Sequence, residues 1–258
     1  MKKTEKVRGR ILSQEKIASD VYSMWLEVGP MAEEAGPGQF VSLYCQDKSR
    51  LLPRPISICE IDRKRRAIRL VYRVVGKGTE EFSGMKSGDQ LEVMGPLGNG
   101  FPLERGKGKK IFLIGGGIGI PPMLELAKEL EADKQIVAGY RDEVFLTEEL
   151  KAQGTLLIAT EDGSAGVKGN VLDAIAQSGL SADLIYACGP TPMLRALKAY
   201  AQEKGMECWL SLEERMACGI GACLACVCKS REVDGHSHVH NKRICKDGPV
   251  FLATEVEL

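Results

Sequence analysis

Short runs of apolar or alternating apolar and polar residues, separated by turns, fill the first part of the chain. They are GRILSQEKIA (9–18), VYSMWLEV (21–28), QFVSLYC (39–45), ISICEID (56–62), AIRLVYRVV (67–75) and DQLEVMG (89–95), punctuated by GPGQ and SGDQ. Short strands at this spacing predict a small all-β barrel or sandwich. GPLGNGFPL (95–103) reads as a loop leaving it. From residue 109 the period changes. Strand-like KKIFLIG, QIVAGY, TLLIAT and ADLIYACG alternate with PPMLELAKELEA (121–132), EVFLTEELKA (143–152), NVLDAIAQS and TPMLRALKAYAQEKG, which carry helical spacing. A proline pair opens the first of these helices. Alternation of this kind predicts a doubly wound parallel α/β domain. In the last fifty residues WLSLEE reads as one more strand, followed by MACGIGACLACVCK (216–229), a polar stretch and ICKDGPVF (244–251). The expected division is 1–104 for the β domain, 105–206 for the α/β domain and 207–258 for a small C-terminal domain.

Charge narrows the partners. Lys plus Arg number 35, as do Asp plus Glu, so the formal net charge is zero. Nucleic acid and anionic membranes both call for a strong positive field, and neither is expected. Arg63-Lys64-Arg65-Arg66 is the one basic run, and its place between two strands reads as a solvated hairpin turn. No apolar run approaches the roughly 20 residues of a membrane span. The charged MKKTEKVRGR start is not followed by an apolar core, so a secretory signal is not expected and the cytoplasm is.

Nine cysteines are present, and four of them fall between Cys218 and Cys228. Such a cluster reads as metal or redox chemistry rather than a disulfide framework. The spacing is Cys218-x4-Cys223-x2-Cys226, then eighteen residues, then Cys245. A [2Fe–2S] centre needs four thiolates converging on two irons, and C-x4-C-x2-C with a distant fourth cysteine is the plant-type ferredoxin solution. Ala217, Gly219, Gly221, Ala222 and Ala225 let the backbone wrap closely and turn N–H groups toward sulfur. The alternative is structural zinc, which commonly uses two C-x2-C pairs where this chain has one. Cys228 is a competing thiol, although its offset of two from Cys226 turns it to the other side of an extended segment. Cys45, Cys59 and Cys208 read as core residues. His236, His238 and His240 alternate on one face and read as an exposed turn, with adventitious metal as the alternative.

Other segments suggest nucleotides. Gly115-Gly116-Gly117-Ile118-Gly119-Ile120 lies between a strand and a helix, where a dinucleotide pyrophosphate can approach backbone. It departs from G-x-G-x-x-G at Ile120, and a tight strand–helix turn is the alternative. Cys188-Gly189-Pro190-Thr191-Pro192-Met193 follows the last α/β strand, at the strand end where open sheets bind ligands. Cys188 is equally readable as a core thiol. Arg54-Pro55-Ile56-Ser57 starts a β-domain strand, with Arg73 and Gly76-Lys77-Gly78-Thr79 one hairpin later. An arginine fork suits a diphosphate; alone, these segments are also compatible with a basic surface and a glycine turn.

In combination, the segments resemble the ferredoxin-reductase superfamily. RPIS is similar to its flavin motif, and GGGIGIPPM and CGPTPML to its two pyridine-nucleotide motifs. MACGIGACLACVCK and ICKDGPVF narrow the resemblance to the electron-transfer subunits of NAD-linked dihydroorotate dehydrogenase, the type B enzyme of bacterial pyrimidine synthesis. The likeness covers nearly the whole chain. It implies an N-terminal antiparallel β-barrel for FAD, an α/β domain for NAD and a C-terminal [2Fe–2S] domain. Carried over, Arg54, Pro55, Ile56 and Ser57 contact FAD together with Val71, Tyr72, Arg73, Gly78 and Thr79. Gly115, Gly116, Gly117 and Gly119 serve NAD with Cys188, Gly189 and Pro190, while Cys218, Cys223, Cys226 and Cys245 hold the cluster. The superfamily often stacks a tyrosine on the flavin where Ile56 stands. The resemblance also implies a separate FMN-containing catalytic subunit, two copies of each forming a heterotetramer. Electrons would run from dihydroorotate through partner FMN, cluster and FAD to NAD+. Rival readings are a subunit of an NADH–ferredoxin–NADP oxidoreductase or sulfhydrogenase, and a non-enzymatic redox or zinc module. Tyr140-Arg141-Asp142 leaves NAD and NADP open, and the resemblance favours NAD. With three histidines, all in one loop, no His-based triad is expected.

Overall fold

The computed structural model describes residues 4–235 and 238–258. The first six strands are β1 (Glu5–Ala18), β2 (Val21–Glu27), β3 (Phe40–Tyr44), β4 (Arg54–Asp62), β5 (Ala67–Arg73) and β6 (Gln90–Leu97), with short helices α1 (Met31–Glu34) and α2 (Lys77–Ser83) between them. They close in the order β1-β2-β5-β4-β3-β6, with antiparallel pairing throughout. The ring has no terminal edge strand, although β4 and β5 separate beside Arg54–Ser57. Inward positions such as Met24, Leu26, Val41, Leu43, Ile58, Ile68, Leu70 and Val93 fill the interior. Helix α2 stands where the sequence reads as a turn. Gly76 caps it: the Thr79 hydroxyl accepts from the Val75 and Gly76 N–H groups at 3.0 and 3.3 Å, and Phe82 is buried beneath. Gln14 of β1 ties this helix to the barrel, donating to the Phe82 and Met85 carbonyls and accepting from the Tyr72 hydroxyl. The basic run is the β4–β5 turn, with Arg63 paired to Glu129 at 2.7 Å and Arg66 to Glu33 at 3.1 Å.

The second half contributes α3 (Leu103–Gly106), β7 (Lys110–Gly116), a 3-10 turn (Gly117–Gly119), α4 (Pro121–Glu129), β8 (Asp133–Tyr140), α5 (Thr147–Lys151), β9 (Thr155–Thr160), β10 (Val167–Lys168), α6 (Val171–Ser178), β11 (Leu184–Cys188), α7 (Thr191–Lys204) and β12 (Glu207–Ser211). After it come a β13–β14 hairpin (Val227–Lys229, Asn241–Arg243) and β15 (Val250–Leu252). The large sheet runs β10-β9-β8-β7-β11-β12-β15, parallel except for β15. The chain builds outward from β7 in one direction, then from β11 in the other, which places a topological switch point between β7 and β11. Asn170 opens α6 with a capping box, accepting from Leu172 N–H at 2.8 Å while Asp173 accepts from Asn170 N–H.

Two departures from the sequence pattern have physical causes. The helix expected over 143–152 shortens to Thr147–Lys151, because Leu146 takes a left-handed conformation that turns Phe145 and Leu146 into the core. The segment 207–258 does not stand apart: β12 and β15 complete the α/β sheet, and the cysteine-rich stretch is an excursion between them. The barrel and the α/β unit share an interface of α4 on β4. There Glu60 is paired with Arg69 at 2.5 Å and with Lys128, and buried Glu125 accepts from Ile61 N–H at 2.9 Å. Among the described residues, no helix is long and apolar enough to cross a membrane.

Candidate functional site

Strand β4 parts company with β5 at the site predicted for flavin. Their pairing begins at Ile58 opposite Leu70 and runs to the turn, whereas Arg54–Ser57 pair only with β3. On β5, Val71, Tyr72 and Arg73 therefore keep β2 as partner and present their other backbone edge to a cleft. The Tyr72 side chain is buried in the barrel, and the residue as a whole is 1% exposed. Ile56 is half-buried against the barrel core. Ser57 and Arg54 are half-buried at the two ends of the opened segment.

Arg54 lies directly across Gly78: any Cβ at Gly78 would collide with its guanidinium, so glycine permits the approach. Helix α2 begins at this point, and the first N–H groups of a helix have no partners within it. Gly78 and Thr79 thus supply backbone donors beside the Arg54 cation, a combination suited to a diphosphate. The Thr79 hydroxyl is already engaged by the cap and contributes no further contact. Arg73 is paired to Asp20 at 3.2 Å. Arg50, which the sequence pattern did not single out, donates to the Lys77 carbonyl and pairs with Glu81 at 2.8 Å, fixing the 46–53 loop against α2.

The two nucleotide motifs meet at the switch point. Cys188 is in register with Gly115, and a Cβ on Gly119 would strike the Cys188 carbonyl. Gly116 faces Pro190 and Met193, and Gly189 approaches the Gly116 backbone. The 3-10 turn Gly117–Gly119 touches β5, and Val71 packs in one apolar cluster with Ile120 and Met123. The glycine loop therefore packs against the barrel at β5. Burial pushes the Cys188 thiol up to about 12, with the Glu213 charge adding to the effect. Glu213 stands exposed just past β12.

The four predicted cluster cysteines converge in two pairs. Cys218 and Cys223 stand 3.3 Å apart, sulfur to sulfur. Cys245 N–H donates to Cys226 sulfur at 3.4 Å, and Gly221 N–H to Cys245 sulfur at 3.1 Å. Burial would raise the Cys218 thiol, but N–H groups of Ile220, Cys223 and Ala222 outweigh it and hold it at about 6. Burial pushes Cys245 up to about 12, with Cys226 adding to it. Among the described residues, no three His, Cys, Asp or Glu side chains surround a single-ion position. Cys228 enters none of these sulfur contacts and packs half-buried on β13. Cys45, Cys59 and Cys208 are buried, and all nine cysteines are unbridged. His238 and His240 are exposed, with His240 Nδ1 2.9 Å from the Arg231 carbonyl; His236 lies outside the described residues.

Arg243, also missed by spacing, is buried beneath the loop: it bonds the Gly221 carbonyl at 3.1 Å and pairs with Asp247 at 3.2 Å. Asn99, leaving the barrel, donates to the Lys246 and Asp247 carbonyls at 3.0 Å. Gly219 sits so close to β3 that a Cβ there would come within 2.9 Å of the Ser42 hydroxyl. Leu97 and Met94 of β6 are its next neighbours, so the cysteine loop rests on the barrel at β3 and β6; Ser42 is opposite Pro55 of β4 in the sheet.

Two family profiles match this chain: residues 213–257 match the iron–sulfur cluster binding domain of dihydroorotate dehydrogenase B, and residues 8–101 the oxidoreductase FAD-binding domain. The electron transfer subunit of dihydroorotate dehydrogenase B (NAD(+)) from Geobacillus thermodenitrificans is 46% identical, covering 97% of this chain and 98% of that one. Its counterpart from Caldanaerobacter subterraneus subsp. tengcongensis is 44% identical, with 97% and 98% covered. The chain belongs to the family of dihydroorotate dehydrogenase B electron-transfer subunits. As a family member it is an oxidoreductase subunit with an FAD-binding barrel and an iron–sulfur binding domain. A solved NADH-dependent reduced ferredoxin–NADP oxidoreductase superposes with a TM-score of 0.86 at 32% identity, over 97% of this chain and 90% of that one. The ferredoxin reductase of carbazole 1,9a-dioxygenase, at 20% identity and a TM-score of 0.66, shares the fold over 79% of this chain and 67% of that one.

Proposed function

We propose that this chain carries the electrons of dihydroorotate oxidation from an FMN-containing catalytic subunit to NAD+, in an assembly of two copies of each subunit. The observation that carries the reading is that the cysteine loop and the glycine loop both rest on the barrel that bears the Arg54–Gly78 cradle. The cysteine loop lies on Ser42 of β3, whose sheet partner is Pro55 of β4, and the Gly117–Gly119 turn touches β5, with Ile120 in one apolar cluster with Val71.

The residues fit the groups the family implies. Two sulfur pairs with N–H donors aimed at them suit a binuclear thiolate cluster, Cys218 with Cys223 on one iron and Cys226 with Cys245 on the other. The Arg54–Gly78–Thr79 cradle suits a diphosphate, and the open edges of Ser57 and of Val71–Arg73 suit the polar rim of a flavin ring. When bound, flavin exchanges two electrons with nicotinamide and single electrons with a cluster. Gly115–Gly119 and Cys188–Pro190 would seat the nicotinamide nucleotide against that ring. Within the frame, Arg54 anchors, the glycines allow close approach, Arg243 and Asn99 hold the cysteine loop on the barrel, and the backbone N–H groups stabilise thiolate charge. The step that takes a proton from dihydroorotate is proposed for the partner subunit. Nine unbridged cysteines accord with the reducing cytoplasm.

The 32% identity to the ferredoxin–NADP oxidoreductase keeps that enzyme as the second reading, behind relatives at 44–46%. Reconstitution separates them. The isolated chain is expected to reduce artificial acceptors with NADH and leave dihydroorotate unchanged, and with the FMN subunit to support NAD+-dependent dihydroorotate oxidation. Dihydroorotate oxidation by the isolated chain, or none by the pair, would contradict the proposal.

A further inference from the structure

Three large aliphatic side chains stand in solvent beside the diphosphate cradle: Leu51 is 83% exposed, Leu52 53% and Val75 80%. Their positions follow from two walks along the backbone. On β4 the chain reads backwards from Ser57, at the ring end of the cleft, through Arg54 at the diphosphate point, to Leu52 and Leu51. On β5 it runs from Val71–Arg73, facing the ring end, to Val75, immediately before the α2 turn that carries Gly78 and Thr79. The β4 walk passes Arg54 before it reaches the leucines, and the β5 walk reaches Val75 three residues before Gly78, so the exposed aliphatic residues flank the Arg54–Gly78 contact.

Local structure does not account for this exposure. A hydrophobic residue just before a helix cap commonly packs on the fourth helical residue; here that residue is Glu80, and Val75 stays uncovered. The loop bearing the leucines is held in place. Arg50 binds the Lys77 carbonyl and Glu81, and Arg54 donates to the Leu52 carbonyl. The same guanidinium thus rests on Gly78 and fixes Leu52.

We propose that Leu51, Leu52 and Val75 form an aliphatic seat for the adenine of the flavin's nucleotide half, and so select FAD over FMN. The proposal rests on the flavin reading above. A purine is flat and apolar on both faces, and it extends from the diphosphate on the side opposite the ring. Covering these side chains with it removes apolar surface from water, a favourable change that FMN, lacking the adenosine, cannot obtain.

The test needs no turnover. The full-length chain, freed of flavin, is titrated with FAD, FMN and riboflavin, and binding is read from flavin fluorescence. Leu52→Asn and Val75→Asn are each expected to raise the Kd for FAD about tenfold, the effect of losing roughly half a buried aliphatic side chain. Both variants should leave the Kd for FMN unchanged, and Leu52→Met should keep wild-type affinity for FAD. An FAD affinity within about twofold of wild type in both Asn variants would overturn the seat, as would an equal loss for FAD and FMN. A wild-type chain that takes up no flavin of any kind would overturn the flavin reading together with the seat.

Discussion

At the scale of single residues, the roles divide between side chains and backbone in a way the sequence only half reveals. Arg54 is legible through the resemblance of RPIS to a flavin motif, since by itself the segment reads equally as a basic surface beside a glycine turn. Arg54→Ala should weaken FAD binding by roughly 1.5–3 kcal/mol, the range for a charge-assisted bond, measured by flavin retention through dialysis. Full retention would contradict the assignment. Tyr72 and Thr79 were equally prominent in sequence, yet the Tyr72 ring fills the barrel and the Thr79 hydroxyl caps α2. Neither outcome is visible without the barrel closure and the helix that use them. Cys228 is the mirror case, since spacing alone turns it away from Cys226 and the structure leaves it out of the sulfur contacts. Cys228→Ser should keep the visible absorbance of the cluster, whereas Cys218→Ser, Cys223→Ser, Cys226→Ser or Cys245→Ser should each bleach or destabilise it.

At the scale of elements, α4 shows where periodicity stops being informative. Its helical spacing and proline start are legible, but nothing in that spacing singles out Glu125. In the fold Glu125 packs under the barrel at 3% exposure, and Ile61 N–H is its donor. Desolvation raises the Glu125 carboxyl to about 7, the nearby Glu129 charge adding to it while Ile61 N–H and Lys128 oppose. The carboxyl therefore holds its proton more tightly folded than unfolded. Its contribution to stability is full below the ordinary carboxylate range and is lost as pH rises through about 7. Glu125→Gln keeps an acceptor for Ile61 and has no charge to bury. In urea unfolding, the variant should match wild type near pH 4.5 and exceed its stability at pH 8. A constant difference across that range would contradict burial of the carboxyl. Helices α2 and α5 failed to read correctly for related reasons: a glycine cap and one left-handed leucine fix their limits, and periodicity registers neither.

At the scale of the whole molecule, the three-part organisation was legible, because strand period, helical period and cysteine spacing change along the chain. How the parts fold onto one another was not. The return of β15 to the α/β sheet and the seating of Gly219 on Ser42 depend on contacts between residues far apart in sequence. That seating leaves Ala222, Ile220 and Leu224 exposed on the outer side of the cysteine loop, free to meet a partner. Ala222→Arg should slow NAD+-dependent dihydroorotate oxidation by the assembled enzyme and spare NADH oxidation by artificial acceptors. Equal loss of both rates would place the effect inside this chain rather than at the contact. The central claim is that one chain holds a flavin and a four-cysteine binuclear cluster side by side. Elemental and cofactor analysis of the purified chain tests it most directly. About one FAD, two irons and two acid-labile sulfides per chain are expected; zinc without labile sulfide, or protein without flavin, would contradict it.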